Sequence, residues 1–226
     1  MVVVKKIIDK QKYEKEHEKP NQEEIWNSIS NPWKKYRMHK LPMIEKFLIG
    51  KKGKIVDLGC GTGRNMIPNN HVEYHGVDFS KGQLKHAKEL VEEDNLNAKL
   101  YKSKIDNLPM FEDEMFDYGL FMATLHCLES KEERENAVKE FYRILKNGSE
   151  GLISVWNGED NRFDGKKEVY IPWKKGEISH MRFYYIYEKE EIVELLESVG
   201  FKILEIYKPQ EGNRFSRKNW IIRIGK

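Results

Sequence analysis

The sequence has little cysteine, no long apolar run and no strong excess of charge of either sign. Cys60 and Cys127 are the only cysteines among 226 residues, so a disulfide framework is excluded and cysteines alone cannot form a zinc site. No apolar stretch approaches the roughly 18 residues of a membrane-spanning helix, and the first residues lack the apolar core of a signal peptide. Charged residues make up 34% of the chain, yet the net charge is only +3, which does not by itself indicate a nucleic-acid binder. We therefore predict a cytoplasmic protein with no membrane segment.

The most informative stretch is a glycine-rich one near residue 60. An apolar run that contains Asp57 is followed by Gly59, Gly61 and Gly63 at alternate positions. This pattern predicts a buried parallel strand, a tight turn where side chains would obstruct a ligand, and then a short helix. It lacks the lysine of a phosphate-binding P-loop and the wider spacing of the dinucleotide fingerprint. It resembles the first motif of class I S-adenosylmethionine-dependent methyltransferases, whose glycines admit the methionine part of the cofactor. A glycine-rich turn without a ligand is the alternative.

A second predicted strand, residues 73–78, ends in Asp78. An acid at this place in nucleotide-binding α/β folds can accept hydrogen bonds from both ribose hydroxyls. The alternative is that Asp78 caps the following helix, predicted over 81–92, although Ser80 could do so instead. We favour the ribose role, because the strand, the acid and the spacing agree.

The remaining pattern alternates strands and helices and ends in two paired strands. It predicts an α/β fold: a doubly wound, mostly parallel, seven-stranded, Rossmann-like sheet with an antiparallel C-terminal hairpin. The predicted strands cover 54–58, 73–78, 98–101, 116–123, 151–156, 201–207 and 220–224, and the longer helices cover 81–92, 132–145 and 188–199.

Three segments define the expected domain organisation. Residues 1–24 are charged and are interpreted as an N-terminal extension, either helical or a mobile tail. Residues 25–226 would form the methyltransferase domain. Within it, residues 157–181 have neither helical nor strand periodicity, which predicts a long functional loop inside a substrate-side insertion at 157–187.

Several stretches outside the glycine motif occur in an order that is typical of one narrower family. They are Trp26-x-x-Ile29 with Tyr36-Arg37, the short crossover 63–70, Leu125-His126-Cys127, Trp156 with Val169-Tyr-Ile-Pro-Trp173, Arg182-Phe-Tyr-Tyr-Ile-Tyr187 and Asn219-Trp220. Together they resemble the tRNA wobble-uridine methyltransferases that esterify 5-carboxymethyluridine. The resemblance implies S-adenosylmethionine as cofactor, tRNA as substrate, and a small zinc-binding activator protein as partner.

The resemblance also implies a set of cofactor-binding residues, with one departure. Lys104 and Ile105 stand where that family has an acid and an alanine beside the adenine. Asp106 could take over, or backbone groups alone could hold the adenine. The expected cofactor-binding residues are Asp57, Gly59, Gly61, Gly63, Asp78, Phe79, Lys104, Ile105, Asp106 and Met122.

The expected chemistry needs orientation more than proton transfer. A carboxylate acceptor, with a pKa near ~4, is ionised without a base, so the site needs cations that orient it. Arg37 and Arg182 suit this role, because a guanidinium offers a planar two-point contact; surface ion pairs are the alternative. His126 follows a strand at the ligand-binding edge and could contact substrate, act as a base, or be a buried structural histidine.

Aromatic and basic residues outside the glycine motif would serve RNA binding. Aromatic side chains could stack an unpaired base, and basic ones could contact phosphates, although any single aromatic is more often part of a core. The candidates are Trp33, Lys34, Lys35, Tyr36, Lys40, Trp173, Lys174, Lys175, Tyr184, Tyr185, Arg214, Arg217 and Lys218, whereas Trp156 and Trp220 are assigned to the core. Alternative functions are a methyltransferase for a quinone or another metabolite and a non-catalytic cofactor-binding subunit.

Overall fold

The computed structural model describes residues 7–36, 39–175, 178–207 and 214–226. Within these residues, ten strands form two sheets. The strands are β1 (Ile8–Asp9), β2 (Gly53–Leu58), β3 (Val72–Asp78), β4 (Ala98–Lys102), β5 (Phe116–Met122), β6 (Leu145–Trp156), β7 (Glu168–Lys175), β8 (Ile178–Tyr185), β9 (Lys202–Ile206) and β10 (Asn219–Gly225). The helices are α1 (Lys10–Glu14), α2 (Gln22–Ser28), α3 (Ser30–Tyr36), α4 (Pro42–Leu48), α5 (Lys81–Glu93), α6 (Lys131–Ile144), α7 (Lys189–Val199) and α8 (Arg214–Lys218).

The large sheet has seven strands in the order β4-β3-β2-β5-β6-β10-β9. Strands β2 to β6 run parallel to one another, and β10 is antiparallel to both β6 and β9. One face packs against α6 and α7, and the other packs against α4 and α5. Because both faces are covered, the central strands are continuous apolar runs. The predicted doubly wound sheet with its antiparallel C-terminal pair is confirmed.

The short helix predicted after the glycine turn does not form, and that prediction is wrong. Residues 59–71 are a series of turns between β2 and β3. Pro68 cannot continue a helix, and the Tyr74 hydroxyl contacts both backbone groups of Ile67, at 3.1 Å from its N and 3.0 Å from its O. These contacts satisfy the backbone that a helix would otherwise have to pair.

The prediction of a long loop at 157–181 is also wrong. After a 3-10 helix at Asn161–Phe163, the segment forms β7 and the first half of β8, and these two strands pair as an antiparallel hairpin. The short strand β1 pairs with the outer edge of β7, giving a second sheet in the order β1-β7-β8. Residues 169–173 are all buried, so both faces of β7 are covered and the alternation that normally predicts a strand is missing. This small sheet lies over the ligand-binding edge of the large one.

Candidate active site

A cleft opens at the edge where the parallel strands β2 to β5 end. In open α/β sheets this edge is where ligands bind. Two adjoining pockets meet here, and they share Gly59, Asp78, Phe79, Thr124 and Cys127. The first extends to the glycine turn and to α2 and α3, and the second extends over the end of β4 to the segment before α2. Together they can accommodate an elongated ligand.

Two glycines of the turn line this cleft for different reasons. A Cβ atom at Gly59 would lie 2.1 Å from Cγ2 of Thr124, so close packing of the turn on the neighbouring loop excludes any side chain. Gly61 has a φ of 55° and faces open space, with Oε1 of Gln83 at 3.9 Å from the position of its Cβ. The predicted Gly63 is in the same turn but does not line the cleft; its Cβ would contact Leu90 of α5 at 3.0 Å.

Asp78 is buried at the point where the two pockets meet. Its Oδ2 accepts the N–H of Gly61 at 2.9 Å, and its Oδ1 accepts the N–H of Ser80 at 2.9 Å. Ser80, not Asp78, caps α5, because its hydroxyl accepts the N–H of Gln83 at 3.1 Å. Burial raises the pKa of Asp78 to about 6. Each carboxylate oxygen retains a lone pair, so Asp78 can accept hydrogen bonds from a diol in the cleft.

Asp57 lies beneath the turn and does not line the cleft. It is fully buried, and both of its oxygens lie 3.2 Å from Nδ2 of Asn65. Burial raises the pKa of Asp57 to about 7. The structure therefore places Asp57 as a support that ties the two ends of the glycine turn together.

The sequence did not indicate a polar wall on the first pocket. Gln83 is 2% exposed, and neither its Nε2 nor its Oε1 has a hydrogen-bond partner among the described residues. The same holds for Oδ1 of Asn65, at 5% exposure, within that part of the chain. Both side chains line the pocket. Buried amide groups without partners cost about 1–3 kcal/mol each, so their orientation toward a cavity indicates a polar ligand.

Two of the residues expected beside the adenine, Lys104 and Ile105, line the second pocket. Phe79, also among the expected cofactor-binding residues, lines it with them. The Lys104 ammonium pairs with Glu133 at 3.2 Å, so a carboxylate is present at this end of the cleft but comes from α6. Asp106 lies instead in a neighbouring groove with Lys104. Met122 lines the first pocket, on the other side of Gly59.

Arg182 lies in an aromatic cage beside the first pocket. It is 5% exposed, and its Cζ is 5.2 Å from the ring centroids of Trp33, Trp173 and Tyr184 and 5.8 Å from that of Trp26. Its Nη1 donates to the Tyr184 hydroxyl at 2.6 Å, while its Nε has no hydrogen-bond partner in the part of the chain that the structure describes. No carboxylate among the described residues pairs with this guanidinium.

The electrostatics of the cage favour an anionic ligand. A buried charge without a counter-ion is costly, and the stacked rings compensate it only in part. Two walls of the cage, Trp26 and Trp33, also line the first pocket. An anion that enters from the pocket would supply both the missing charge and the missing hydrogen-bond acceptor. The sequence pattern named Arg182 but gave no indication that Trp26 belongs to the site.

His126 is buried behind the cage and does not line either pocket. Its Nδ1 accepts the backbone N–H of Trp156 at 3.2 Å, and its ring stacks on Trp156 with centroids 5.2 Å apart. Its ring also contacts Tyr184, at 5.7 Å. In this arrangement Nδ1 is unprotonated, so a neutral ring carries its proton on Nε2. The structure brings His126 close to Arg182 through Tyr184.

The predicted RNA-binding residues are distributed over different surfaces. Trp33 and Trp173 contact each other in the cage with centroids 5.3 Å apart. Lys34 pairs with Glu89 at 3.0 Å, whereas Lys35 is exposed. Tyr185 lies on the opposite face of β8, where its hydroxyl donates to Glu191.

Three other predicted residues lie at the ends of the described segments or outside them. Tyr36 ends α3 and Arg214 begins α8. Arg37 lies outside the described residues. Trp156 stacks on Tyr184 at 3.9 Å, and the Trp220 indole donates to the Tyr187 carbonyl at 3.2 Å within the core.

Comparison with known proteins agrees with this geometry. A family profile described as a methyltransferase domain matches residues 55–148. A provisionally named methyltransferase of Encephalitozoon cuniculi is 30% identical over 158 residues, which cover 67% of this chain and 71% of that protein. The chain belongs to the class I methyltransferase family.

Other members of this family include RNA-modifying enzymes. The tRNA (carboxymethyluridine(34)-5-O)-methyltransferase of Schizosaccharomyces pombe is 28% identical over 238 residues, covering 91% of this chain and 96% of that protein. The Bos taurus protein named probable tRNA methyltransferase 9B is 30% identical over 165 residues, covering 70% of this methyltransferase. The match spans 34% of the bovine protein, about a third of its length.

Solved structures share the fold of this methyltransferase. The CcbJ methyltransferase from Streptomyces caelestis has a TM-score of 0.69 at 16% identity, with 91% of this chain and 98% of that chain covered. A SAM-dependent methyltransferase from Methanosarcina mazei has a TM-score of 0.66 at 20% identity, with 83% and 98% covered. Within the described residues, no helix of this methyltransferase has both the length and the apolarity to cross a bilayer.

Proposed function

We propose that this methyltransferase esterifies a carboxylate on the wobble uridine of tRNA, turning a carboxymethyl side chain into its methyl ester. S-adenosylmethionine is the methyl donor. The acceptor is inferred from two relatives that are named as tRNA methyltransferases, one of them for carboxymethyluridine, and from the chemistry of the cleft. The observation that carries the proposal is the buried Arg182, whose guanidinium lacks a carboxylate partner among the described residues.

The cleft fits the proposed cofactor. Asp78 would accept hydrogen bonds from the ribose hydroxyls, and Gly61 leaves room for the methionine part of the cofactor beyond the ribose. The unpaired atoms of Gln83 and Asn65 offer one donor and two acceptors to an amino-acid group. Phe79 and Ile105 provide apolar surface for a base. When bound, the cofactor supplies a methyl group that is already strongly electrophilic.

The residues of the chain would then align the acceptor and exclude water. Arg182 would bind the carboxylate of the substrate, which is ionised near neutral pH because its ordinary pKa is about 4. The cage of Trp26, Trp33 and Trp173 would exclude water and thereby strengthen this contact. No general base is needed, since the nucleophile is already an anion. His126 would act by fixing Tyr184 and Trp156, not by removing a proton.

The test uses methyl-labelled S-adenosylmethionine with separate pools of tRNA and metabolites. We expect label in tRNA, at the wobble nucleoside, that mild alkali releases as methanol, because esters hydrolyse under conditions that leave methyl groups on nitrogen or carbon intact. Arg182→Gln should lower the rate of this labelling about a hundredfold, to a rate that is still measurable, while S-adenosylhomocysteine still binds. Label confined to metabolites, or label in tRNA that resists alkali, would contradict the proposal.

The partner implied by the family resemblance is part of this proposal. Tyr36, Lys174, Lys175 and Arg214 stay predicted RNA contacts, and Arg37 stays a predicted second contact to the carboxylate. A small zinc-binding activator protein stays a predicted partner. Assays with and without such a protein, at matched enzyme concentration, would test this partnership. A higher rate of label transfer in its presence would support the partnership, and an unchanged rate would contradict it.

A further inference from the structure

Gln22 is a buried glutamine that bonds to the backbone on both sides of Arg182. It is 6% exposed and is the first residue of α2. Its Nε2 donates to the carbonyl of Met181 at 3.1 Å, and its Oε1 accepts the N–H of Phe183 at 3.0 Å. These two bonds join segments that are about 160 residues apart in sequence, as the separations of 159 and 161 positions show.

These two hydrogen bonds satisfy backbone groups at the edge of the small sheet, on either side of Arg182. Strand β8 pairs with β7 along one side, and Arg182 is opposite Ile171 in that pairing. The carbonyl of Met181 and the N–H of Phe183 point to the other side, where no further strand of the described residues pairs with β8. The side-chain amide of Gln22 takes the place of a neighbouring peptide group. It therefore fixes the backbone from which the Arg182 side chain extends.

The same helix also provides one wall of the cage. Trp26 is four residues after Gln22, so both lie on one face of α2. The Trp26 ring centroid is 5.8 Å from Cζ of Arg182. Since the guanidinium has one hydrogen bond to a described side chain, the Tyr184 hydroxyl, its orientation depends on its backbone and on these walls. Gln22 therefore fixes the position of the Arg182 backbone relative to the Trp26 ring.

We infer that Gln22 is a positioning residue that sets the guanidinium of Arg182 for the acceptor carboxylate, an inference that rests on the proposed function. It acts through Arg182 and has no contact with the reacting atoms. Removing its amide would remove both of these hydrogen bonds and take from the buried N–H of Phe183 the acceptor that Gln22 supplies, and β8 would shift in response. The guanidinium would then be misplaced. The rate of methyl transfer would fall, because it depends on the alignment of the reacting groups.

The test is a double-mutant cycle of Gln22→Leu and Arg182→Leu, with kcat/KM for tRNA as the measurement. Gln22→Leu should lower kcat/KM about tenfold in the wild-type background and less than about twofold in the Arg182→Leu background, because its effect requires Arg182. Equal losses in both backgrounds would overturn the inference and show a general structural role. The exposed Glu24→Gln on the same helix is the matched control and should leave kcat/KM unchanged.

Two further measurements distinguish the positioning of Arg182 from an effect on cofactor binding and test whether the hydrogen bonds of the Gln22 amide are responsible. Because residues 19–23 line the second pocket, the dissociation constant of S-adenosylhomocysteine is measured in parallel and should change less than about threefold in Gln22→Leu. Gln22→Glu should regain activity relative to wild type as the pH falls, since a protonated carboxyl both donates and accepts as the amide does. Loss of activity in Gln22→Glu that is independent of pH would contradict the inference.

A readout without substrate keeps the inference testable even if tRNA is not the acceptor. Tryptophan emission reports on the cage around Arg182. Gln22→Leu should shift it more in the wild-type background than in the Arg182→Leu background. Equal shifts would overturn the positioning role, whereas absence of label in tRNA with the wild-type enzyme would overturn only the proposed function.

Discussion

The Tyr184 hydroxyl accepts a 2.6 Å hydrogen bond from Nη1 of Arg182, and both side chains are buried. The ring of Tyr184 also stacks on Trp156 at 3.9 Å, so the hydroxyl is held in place from behind. The pair thus joins a rigid aromatic stack to a cation that would orient the substrate in the proposed reaction.

Tyr184→Phe should lower methyl transfer without changing cofactor binding. The substitution keeps the stack but removes an acceptor from a buried charge, so the unfolding free energy should fall by about 1–3 kcal/mol. We expect kcat/KM for tRNA to fall roughly tenfold. Tyr185→Phe is the matched control, because that hydroxyl lies on the opposite face of β8 with Glu191. Equal losses of methyl transfer in the two variants would show that the hydrogen bond between Tyr184 and Arg182 has no specific effect on the reaction.

Gln83→Leu should stabilise the ligand-free protein and weaken cofactor binding. The leucine removes a buried amide that has no partner, which should raise the unfolding free energy by about 1–2 kcal/mol. It also removes a donor and an acceptor from the cleft, so the dissociation constant of S-adenosylhomocysteine should rise about fivefold to tenfold. Thermal unfolding and calorimetric titration measure the two effects. The exposed Gln11→Leu should show neither, and unchanged affinity in Gln83→Leu would remove Gln83 from the site.

Asp57→Asn should stabilise the protein at pH 8 and have a smaller effect near pH 4. The pKa of Asp57 is about 7 in the folded state because of burial, against an ordinary value of 3.8. Between these values the folded state holds a proton that the unfolded state has lost, so the stability of the wild type falls as the pH rises through this window. The asparagine can still accept from Asn65, and the gain at pH 8 should be roughly 2–4 kcal/mol.

Urea unfolding of wild type and Asp57→Asn from pH 4 to pH 8 measures this difference. Glu73→Gln is a control of opposite sign, because the hydrogen bond from Lys99 lowers the pKa of Glu73. Its contribution is present at neutral pH and is lost as the pH falls. A stability difference for Asp57→Asn that does not vary with pH would mean that Asp57 is ionised in the folded state throughout.

His126→Asn should retain more activity than His126→Leu. The asparagine Oδ1 can replace Nδ1 as the acceptor of the Trp156 N–H, while leucine leaves that buried donor unpaired. We expect kcat for tRNA to fall about threefold in the first variant and more than about tenfold in the second. Steady-state kinetics from pH 6 to pH 8 provide the measurement. If both variants were equally inactive, His126 would have to act as a base.

Much of the large sheet could be predicted because its strands are buried on both faces and end at recognisable residues. Asp57, Asp78 and the glycines gave the order of the first strands and the edge at which the cleft opens. Strand β7 was missed because residues 169–173 are all buried, so the alternation of apolar and polar residues by which a strand is recognised is absent.

The site was only partly predictable, because its polar walls depend on tertiary contacts. Gln83 could have been found from its place on the buried face of α5, four residues before Ala87. Gln22 gave no such indication, since it follows a charged segment and its partners lie more than 150 residues away. The cage around Arg182 likewise required α2 and the small sheet to meet, which no local pattern encodes.

The uncompensated charge of Arg182 has a consequence for turnover. Esterification would convert an anionic side chain into a neutral one and a cationic donor into an uncharged thioether. The guanidinium would then face a group that carries no charge to balance its own, and the attraction that captured the reactant would be absent from the ester. Product departure would thus be favoured by the reaction itself, with no separate movement of the protein required to expel it.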